Sequence, residues 1–515
     1  MNFGKMKDQN SFFLHTCIVA IGILLSRITG LMRDVVFASL LGTGIVAEAF
    51  YVAFRLPNTF RRIFAEGALS NVFVPLFSAK IQHNRKIANT FSAKILIILL
   101  LSLLVVTLSV EMCMPYVIRV INPGFINDEE KFNLTVKLAR ITFPYIILIS
   151  ITAFFGSILN SVHSFWQFSI VSVILNLVLL VGLYLTNNWF SNAGECLSYL
   201  LIFAGLLQIV FVAYFCIKKH IFPFYQHTLV KTSHKSQYDQ DVKIFLKKLF
   251  PAIVSSGILQ VNIFIDGIFA SFFTGAVSYL YYTDRIGQFP LSIIGYSLSV
   301  AILPSLSVAF QQKRKNEIAA LQRKSFDVAM FFSIPAMLLI TVLSKKIIML
   351  IYQHGAFDTN DTDIVALMLT IYALSLPFNV LLKIFFSCFY AQKNTKIPMR
   401  ISMVALVFNI VSNVILIKFI DMYCVIVSTT LSSVLSCFMA IYYLYRDKEC
   451  YINTECLRSL VRVAGLSVCS CVLVPCVFYN FNLIIILSLV AMVHLALCFY
   501  FKVLTLSIIT DVLHR

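Results

Sequence analysis

Long apolar segments follow one another along almost the whole chain. A transmembrane helix needs roughly 20 consecutive, mainly apolar residues, and 14 segments of the sequence meet this need. They lie near residues 12–41, 46–78, 92–121, 134–161, 167–187, 193–217, 242–272, 277–310, 322–344, 362–391, 397–418, 422–445, 458–480 and 482–508. Only short loops remain between them. The sequence therefore predicts an all-α polytopic membrane protein with 14 transmembrane helices.

The distribution of charge supports a membrane protein. Only 12% of the residues are charged, yet the formal net charge is +18. In a soluble protein such an excess would suggest nucleic-acid binding, but here most Lys and Arg residues lie in alternate connections, as the positive-inside rule describes. We expect no nucleic-acid partner, and we expect both termini in the cytoplasm. The 13 cysteines lack the paired spacing of a metal site or a disulfide framework.

An internal repeat organises the chain. Sliding the sequence on itself by 229 to 233 residues aligns five landmarks. The pairs are Arg55 with Arg285, Pro75 with Pro304, Gly124 with Gly355, Pro144 with Pro377, and Asn176 with Asn409. Each repeat contains six segments, and because six is even, both repeats cross the membrane in the same direction, as in parallel-repeat transporters.

The repeat predicts three parts of the chain. Residues 1–225 form an N-lobe with spans 1–6, and residues 226–450 form a C-lobe with spans 7–12. Residues 451–515 contain spans 13 and 14, which lie outside the repeat. Transporters of this construction bind cargo between their lobes near the midplane of the bilayer.

Arginines occur inside the first two apolar segments. Arg27 and Arg61 each lie about 15 residues into a span, which places them near the middle of the bilayer at 1.5 Å per residue. A charged side chain at that depth needs a water-filled cavity or a partner. The surrounding carboxylates are too few to neutralise all the arginines of this region together with Arg285 of span 8. A surplus of guanidinium groups predicts an anionic ligand, and their planar forks suit phosphate oxygens.

A structural explanation of these arginines stays open. Arg27 would then pair with Asp34, seven residues further on, and Arg62 would pair with Glu66, four residues further on. Both spacings place the partners on one face of a helix. In this alternative the arginines hold helices together and bind no ligand.

The chain resembles the MurJ (MviN) family of lipid II flippases, within the multidrug/oligosaccharidyl-lipid/polysaccharide exporter superfamily. The resemblance covers nearly the whole chain and rests on the motifs SRITGLMRD, EAFYVAFRLPNTFRRIFAEGALSNVFVPLFS, YYTDRIGQFPLSIIGYSLSVAILPSLS and FYAQKNTKIPMRI. It implies a bacterial inner-membrane transporter, with no enzymatic activity, that moves undecaprenyl-diphosphate-linked peptidoglycan precursor from the cytoplasmic to the periplasmic leaflet. The alternative is a related exporter of another polyprenyl-linked glycan or an amphiphilic drug.

The resemblance also implies a site. Family members have a cationic central cavity whose essential arginines correspond here to Arg27, Arg33, Arg61 and Arg285, and spans 13 and 14 form a groove for the lipid tail. Our full set of predicted substrate-binding residues is Arg27, Arg33, Arg55, Arg61, Arg62, Arg285, Asn58, Ser26 and Glu66. Two positions depart from the family pattern: Gln288 replaces a common acidic residue, and Glu48 replaces a common Asp.

A cation site is a further hypothesis. Asn409 and Asn413 share a face of span 11, and Asp266 lies inside span 7. Some family members bind sodium between spans 7, 11 and 12, which adds Thr430 as a ligand and sodium as the candidate coupling ion. Alternatively, Asp266 pairs with Lys383, and the asparagines make hydrogen bonds between helices. We expect no other cofactor, and we expect a monomer whose partners are lipid II and membrane lipids.

Overall fold

The computed structural model describes residues 3–501 except 63–69, 163, 187–188, 191, 224–234 and 448–453. At residues 3–20 and at some further positions, most of them between 235 and 259, only the backbone is described. Every regular element in these ranges is a helix, which confirms the predicted all-α class. The chain divides into two compact units, unit 1 (Met1–Ser278) and unit 2 (Tyr279–Arg515).

Unit 1 contains ten of the described α-helices. They are α1 (Phe3–Leu41), α2 (Ile45–Arg61), α3 (Ser70–His83), α4 (Arg85–Met112), α5 (Met114–Ile121), α6 (Glu129–Thr142), α7 (Tyr145–Ser161), α8 (Trp166–Thr186), α9 (Ala193–Lys218) and α10 (Lys235–Ala270). A short 3₁₀ turn, Pro123–Asn127, joins α5 to α6.

The helices of unit 2 begin with α11, which crosses the boundary between the units. They are α11 (Ala276–Leu291), α12 (Ser297–Gln311), α13 (Lys315–Tyr352), α14 (Thr359–Ala373), α15 (Leu376–Ala391), α16 (Lys396–Ile420), α17 (Tyr423–Arg446), α18 (Thr454–Val468), α19 (Val474–Val477) and α20 (Leu483–Tyr500). A π-helical turn joins α11 to α12 at Ser292–Tyr296, and another joins α18 to α19 at Cys469–Leu473.

The predicted spans are helical, but their number is not confirmed. Each of the 14 predicted segments overlaps a helix in the described ranges. By length and composition, ten helical segments there can cross a membrane, and α14 with α15 makes an eleventh if they count as one bent span. The ten are α4, α6 with α7, α8, α9, α11 with α12, α13, α16, α17, α18 with α19, and α20.

Two spans are broken at matching places. In unit 1, Pro144 stands between α6 and α7, and in unit 2, Pro377 lies in the first turn of α15 after a bend of 43°. Proline lacks an N–H group and clashes with the preceding turn, so a helix does not continue through it undisturbed. The two breaks support this pair of landmarks in the repeat.

The acidic runs NDEE and FDTNDTD begin the first half of each broken span. The Asp128 carboxylate accepts a hydrogen bond from Lys131 N at 3.0 Å. Asp358 accepts one from Asp361 N at 2.8 Å, and the Asp361 carboxylate accepts one in return from Asp358 N at 3.2 Å. Carboxylates are favoured there because the first N–H groups of a helix have no partner within it. The two caps are 230 residues apart, within the predicted offset.

Helix packing repeats inside each unit. In unit 1, α3 packs on α7, α7 packs on α9, and α8 packs on α9. In unit 2, the corresponding helices do the same: α12 packs on α15, α15 on α17, and α16 on α17. The internal repeat found in the sequence is therefore present as a repeated packing pattern.

Helix α10 belongs to unit 1, where it packs on α3, α4 and α5. The boundary between the units at Ser278 thus differs from the lobe boundary predicted at residue 225, which follows the repeat. In unit 2, α18 packs on α13 and on α20. The predicted lobes and the predicted lipid-tail groove at 451–515 stay predictions.

Candidate substrate-binding site

Arg33 on α1 is 4% exposed and is held in a polar cluster. Its Nη2 and Nε lie 2.7 and 3.0 Å from Asp34 Oδ1, and its Nη1 donates to Asn176 Oδ1 of α8 at 3.0 Å. The Phe37 and Phe54 rings lie 5.4 and 5.7 Å from the guanidinium carbon. A buried charge is stable only when it is paired and hydrogen-bonded. This cluster ties α1 to α8.

Asn176 extends this cluster to the preceding turns of α1. Its Nδ2 donates to the backbone carbonyl of Ser26 at 3.1 Å and to Thr29 Oγ1 at 3.2 Å. Ser26 therefore contributes a backbone carbonyl to the cluster. Arg27, the next residue, is exposed. The two arginines predicted for span 1 thus lie in opposite environments.

A small recess opens beside Arg61 in unit 1. Its lining includes Asn58 and Arg61 of α2, Tyr145 of α7, Phe168 and Ser172 of α8, and Gln208 of α9. Tyr145 Oη donates to Gln208 Oε1 at 3.0 Å, and Gln208 Nε2 donates to a backbone carbonyl of α8 at 2.8 Å, which fixes the amide. A cation and a fixed amide among apolar walls suit the polar part of an amphiphilic ligand.

The other arginines predicted in span 2 differ from each other. Arg55 is half-buried, and its Nη1 donates to the Ile263 carbonyl of α10 at 3.4 Å. A Cβ at Gly267 would lie 2.3 Å from that nitrogen, so the glycine makes room for the guanidinium. Arg62 follows α2 and is exposed. Glu66, predicted on the same face, lies outside the described residues.

Arg285 is exposed on α11 of unit 2. On the same helix, Gln288 Nε2 donates to Asp284 Oδ2 at 2.6 Å, so Gln288 is held by the carboxylate one turn earlier. Gly287 is buried, and a Cβ there would lie 2.3 Å from the Tyr372 ring of α14. One side of α11 is therefore closely packed, while the arginine is on an exposed side.

Glu48 on α2 is fully buried and forms an ion pair with Lys131 of α6. Its carboxylate also accepts a hydrogen bond from Val277 N at 3.2 Å, at the start of α11. The Lys131 amine lies 4.0 Å from the centre of the Phe125 ring. Glu48 therefore holds helices together. Sequence reasoning missed Lys131 as its partner because the two are far apart in the chain.

The four residues predicted for a cation site lie in different units. Asp266 is half-buried on α10 in unit 1, whereas Asn409 and Asn413 of α16 and Thr430 of α17 are buried in unit 2. Asn413 Nδ2 donates to Asn409 Oδ1 at 3.1 Å, and Asn409 Nδ2 donates to Thr429 Oγ1 of α17 at 3.2 Å. Thr430 donates to a backbone carbonyl of α14 at 3.3 Å. The bond from Asn409 to Thr429 joins α16 to α17, as the structural alternative expects of the asparagines, and the sodium site stays a prediction.

Two residues of the site are absent from the predicted set of substrate-binding residues. Asn176 entered only as a landmark of the repeat, although it holds Arg33. Gln208, which lines the recess, was missed. Both are carboxamides inside strongly apolar segments, where polar side chains are costly and usually functional or structural. That signal could have found them.

Comparison with known proteins supports the resemblance seen in the motifs. The family model "Lipid II flippase MurJ" matches residues 37–499. The chain belongs to the MurJ family. A relative named "Probable lipid II flippase MurJ" from Rickettsia prowazekii (strain Madrid E) is 38% identical over 448 residues, covering 86% of each chain. Another of that name, from Rhizobium tropici, is 37% identical over 403 residues, covering 76% of this chain and 73% of the relative.

Solved structures show the same relationship. The structure "Lipid II flippase MurJ, inward closed conformation" matches with a TM-score of 0.79 and 25% identity, covering 94% of this chain and 99% of that one. An inward-facing multidrug resistance MATE family transporter of the MOP superfamily matches with a TM-score of 0.62 and 12% identity, covering 83% and 93%. The second likeness concerns the fold alone. MurJ is a family of flippases and not of enzymes. The predicted family and the prediction of a flippase rather than an enzyme are therefore confirmed.

Proposed function

We propose that this chain flips lipid II from the cytoplasmic to the periplasmic leaflet of the bacterial inner membrane. The observation that carries the proposal is the MurJ family match over residues 37–499. Lipid II joins a diphosphate, a disaccharide-pentapeptide and a polyprenyl chain. The costly step is taking its polar head through hydrocarbon, because unpaired polar groups there lose their hydrogen bonds to water. A hydrated cationic site removes most of that cost.

The arginines with exposed or half-buried side chains supply the anion contacts in this proposal. Arg27 and Arg285 hold the diphosphate, since guanidinium groups can bind phosphate oxygens bidentately. Arg61 holds the polar head in the recess that it shares with Asn58, and Arg55 and Arg62 add positive charge nearby. The exposure of Arg27 and Arg285 and the polar lining of the recess support these roles.

Arg33 and Ser26 have a positioning role in this proposal. The Arg33 guanidinium already binds Asp34 and Asn176, and the Ser26 carbonyl binds Asn176. A diphosphate could reach Arg33 only if these contacts opened. We therefore place Arg33 behind the contact surface, where it fixes the turn of α1 that carries Arg27.

The proposed transport works by alternating access, as in other transporters that are built from parallel repeats. Cargo that is held by arginines of both repeats favours the closed state of the transporter. Release of the cargo leaves positive charges whose mutual repulsion favours return to the inward-open state. The distribution of Lys and Arg supports cytoplasmic N- and C-termini. We propose that the chain works as a monomer.

Sodium coupling is tested by one substitution. If Asp266, Asn409, Asn413 and Thr430 bind sodium, then sodium raises the thermal stability or the transport rate of the purified protein. The Asp266→Asn variant then loses that response, because it removes the carboxylate ligand. A wild-type protein that is indifferent to sodium, with potassium as the ionic-strength control, leaves only the structural alternative.

Complementation of a flippase-depleted bacterium tests the function. Wild type restores growth and moves lipid II to the outer leaflet, whereas Arg27→Ala and Arg285→Ala do not. The matched control is Arg119→Ala, which removes an exposed arginine of α5 that stacks on Tyr116 and Phe132. Failure of wild type to restore leaflet transport would refute the function. Full transport by Arg27→Ala and Arg285→Ala, each expressed at the normal level, would refute the assigned contacts.

A further inference from the structure

One cation inside the membrane-spanning part of unit 2 has no role in the site described so far. Lys383 is half-buried on α15. It lies eight residues before the end of that helix at Ala391, or about 12 Å along the helix axis. A charge at that depth in a hydrocarbon layer roughly 30 Å thick is costly, and such residues commonly mark a ligand pathway.

The amine of Lys383 has no ion-pair partner in the described part of unit 2. By contrast, Lys131, which holds α6 against α2, has the carboxylate of Glu48 close by. Lys383 therefore does not follow the pattern of a structural ion pair within its own unit.

The packing around Lys383 leaves space for its side chain. The Cδ atom lies 3.0 Å from the position of a Cβ at Gly295, so the buried glycine lets the lysine stem lie against the backbone of the π-helical turn. π-helical turns are frequent at functional sites. One turn further along α15, Ser387 Oγ lies 2.7 Å from Ser299 Oγ of α12, which fixes the two spans against each other. The position of the lysine is thus built into the contact between spans 8 and 10.

Arg285 lies on the same span as Gly295. Ten residues separate them along α11 and the π-helical turn, or about 15 Å at the rise of a helix. The Lys383 stem lies against Gly295, so this length describes the distance between the two places on span 8 where the cations lie, and it exceeds the width of a diphosphate. An extended pentapeptide, however, reaches up to about 17 Å.

We propose that Lys383 binds a carboxylate of the pentapeptide of lipid II while Arg285 holds the diphosphate. The proposal rests on the proposed function and deepens it, because it makes unit 2 recognise two parts of one cargo. It assigns specificity for the peptide to a residue outside the predicted site. Any peptide supplies a terminal carboxylate, and a lysine amine bonds to it with charge assistance.

The test measures dissociation constants of the purified full chain for two lipids: lipid II, and undecaprenyl diphosphate, which lacks sugar and peptide. Lys383→Met keeps the apolar stem and removes the charge. It weakens lipid II binding by about tenfold and leaves undecaprenyl diphosphate binding unchanged. Lys383→Arg, the matched control, keeps most of the affinity for lipid II. Arg285→Met weakens the binding of both lipids.

A second arm alters the cargo and needs no variant. Wild type binds lipid II whose peptide carboxylates are converted to amides about tenfold more weakly, and Lys383→Met binds both forms equally. Equal weakening of both lipids by Lys383→Met, or equal binding of the amidated and free forms by wild type, overturns the inference. Non-additive losses of stability in Lys383→Met and Asp266→Asn, without any effect on binding, would instead show a structural pair. If wild type bound no lipid II at all, the proposed function itself would fail first.

Discussion

The two units share a packing pattern but differ in how they use charge. In unit 1, α2 is tied to α6 by the buried ion pair between Glu48 and Lys131. In unit 2, Tyr279 Oη of α11 donates to Asp361 Oδ1 of α14 at 3.0 Å. Lys131 and Asp361 are 230 residues apart, so they occupy matching positions in the repeat. The same helix contact is made by two opposite charges in one unit and by a neutral donor in the other.

The repeat-related arginines differ in the same way. Arg55 of unit 1 is half-buried and bonds to a backbone carbonyl of α10, whereas Arg285 of unit 2 is exposed. Asn176 holds the buried Arg33, whereas its counterpart Asn409 bonds to Thr429. The comparison teaches that the repeat preserves helix caps, helix breaks and helix contacts, while the charged side chains have different roles in the two units. Unit 1 uses several for support, whereas in the described part of unit 2 Lys383 has no ion-pair partner and Arg285 is exposed.

Replacement of Arg33 should give the largest loss of stability. Arg33→Ala leaves the buried Asp34 carboxylate without its guanidinium, and breaking a buried ion pair in this way costs about 3–5 kcal/mol. Thermal unfolding of the purified protein in detergent measures the loss. Arg27→Ala, which removes an exposed arginine six residues earlier on α1, is the control and should unfold close to wild type. Equal midpoints for the two variants would contradict a supporting role for Arg33.

The ties between matching helices should differ in strength. Glu48→Gln leaves the Lys131 ammonium buried without a carboxylate and should cost about 3 kcal/mol. Tyr279→Phe removes one hydrogen bond to Asp361, which keeps its place in the cap of α14, and should cost about 1 kcal/mol. Denaturant unfolding of both variants measures the difference. An equal cost at the two positions would remove the contrast between the units.

A glycine of α11 tests how closely this helix packs on α14. Gly287 occupies the repeat position of Pro57, and a Cβ there would lie 2.3 Å from the Tyr372 ring. Gly287→Ala should therefore cost about 1–3 kcal/mol through overpacking. Gly465 of α18 is the matched control, since nothing lies within 4 Å of its Cβ position, and alanine there should be neutral or stabilising. Unfolding midpoints that rank the two variants the other way would contradict close packing of α11 on α14.

The sequence predicted the helical class, the repeat and the family because these depend on local pattern and on motifs. The landmarks Pro144 and Pro377 lie at real helix breaks, where the missing N–H group of proline is tolerated. The landmarks Pro75 and Pro304, by contrast, lie inside continuous helices. The acidic runs NDEE and FDTNDTD supply the caps of α6 and α14, a role that the pattern of apolar segments does not reveal.

The environments of the arginines could not be predicted from spacing. Arg33 pairs with Asp34, although adjacent residues on a helix do not face each other. The long arginine side chain and Asn176, which is 143 residues away, make that pair possible. Contacts of this kind depend on which helices pack together. For the same reason the sequence did not reveal Gln208 beside Arg61 or the partner of Glu48.

Reconstituted liposomes offer the most direct test of ligand-binding arginines in a lipid II flippase. Labelled lipid II starts in one leaflet, and its appearance in the other is followed over time for wild type, Arg285→Met and the control Arg119→Met, each matched for thermal stability. We predict that wild type and Arg119→Met distribute the lipid between both leaflets, while Arg285→Met does not. Transfer by Arg285→Met at the wild-type rate would contradict the role of the guanidinium groups.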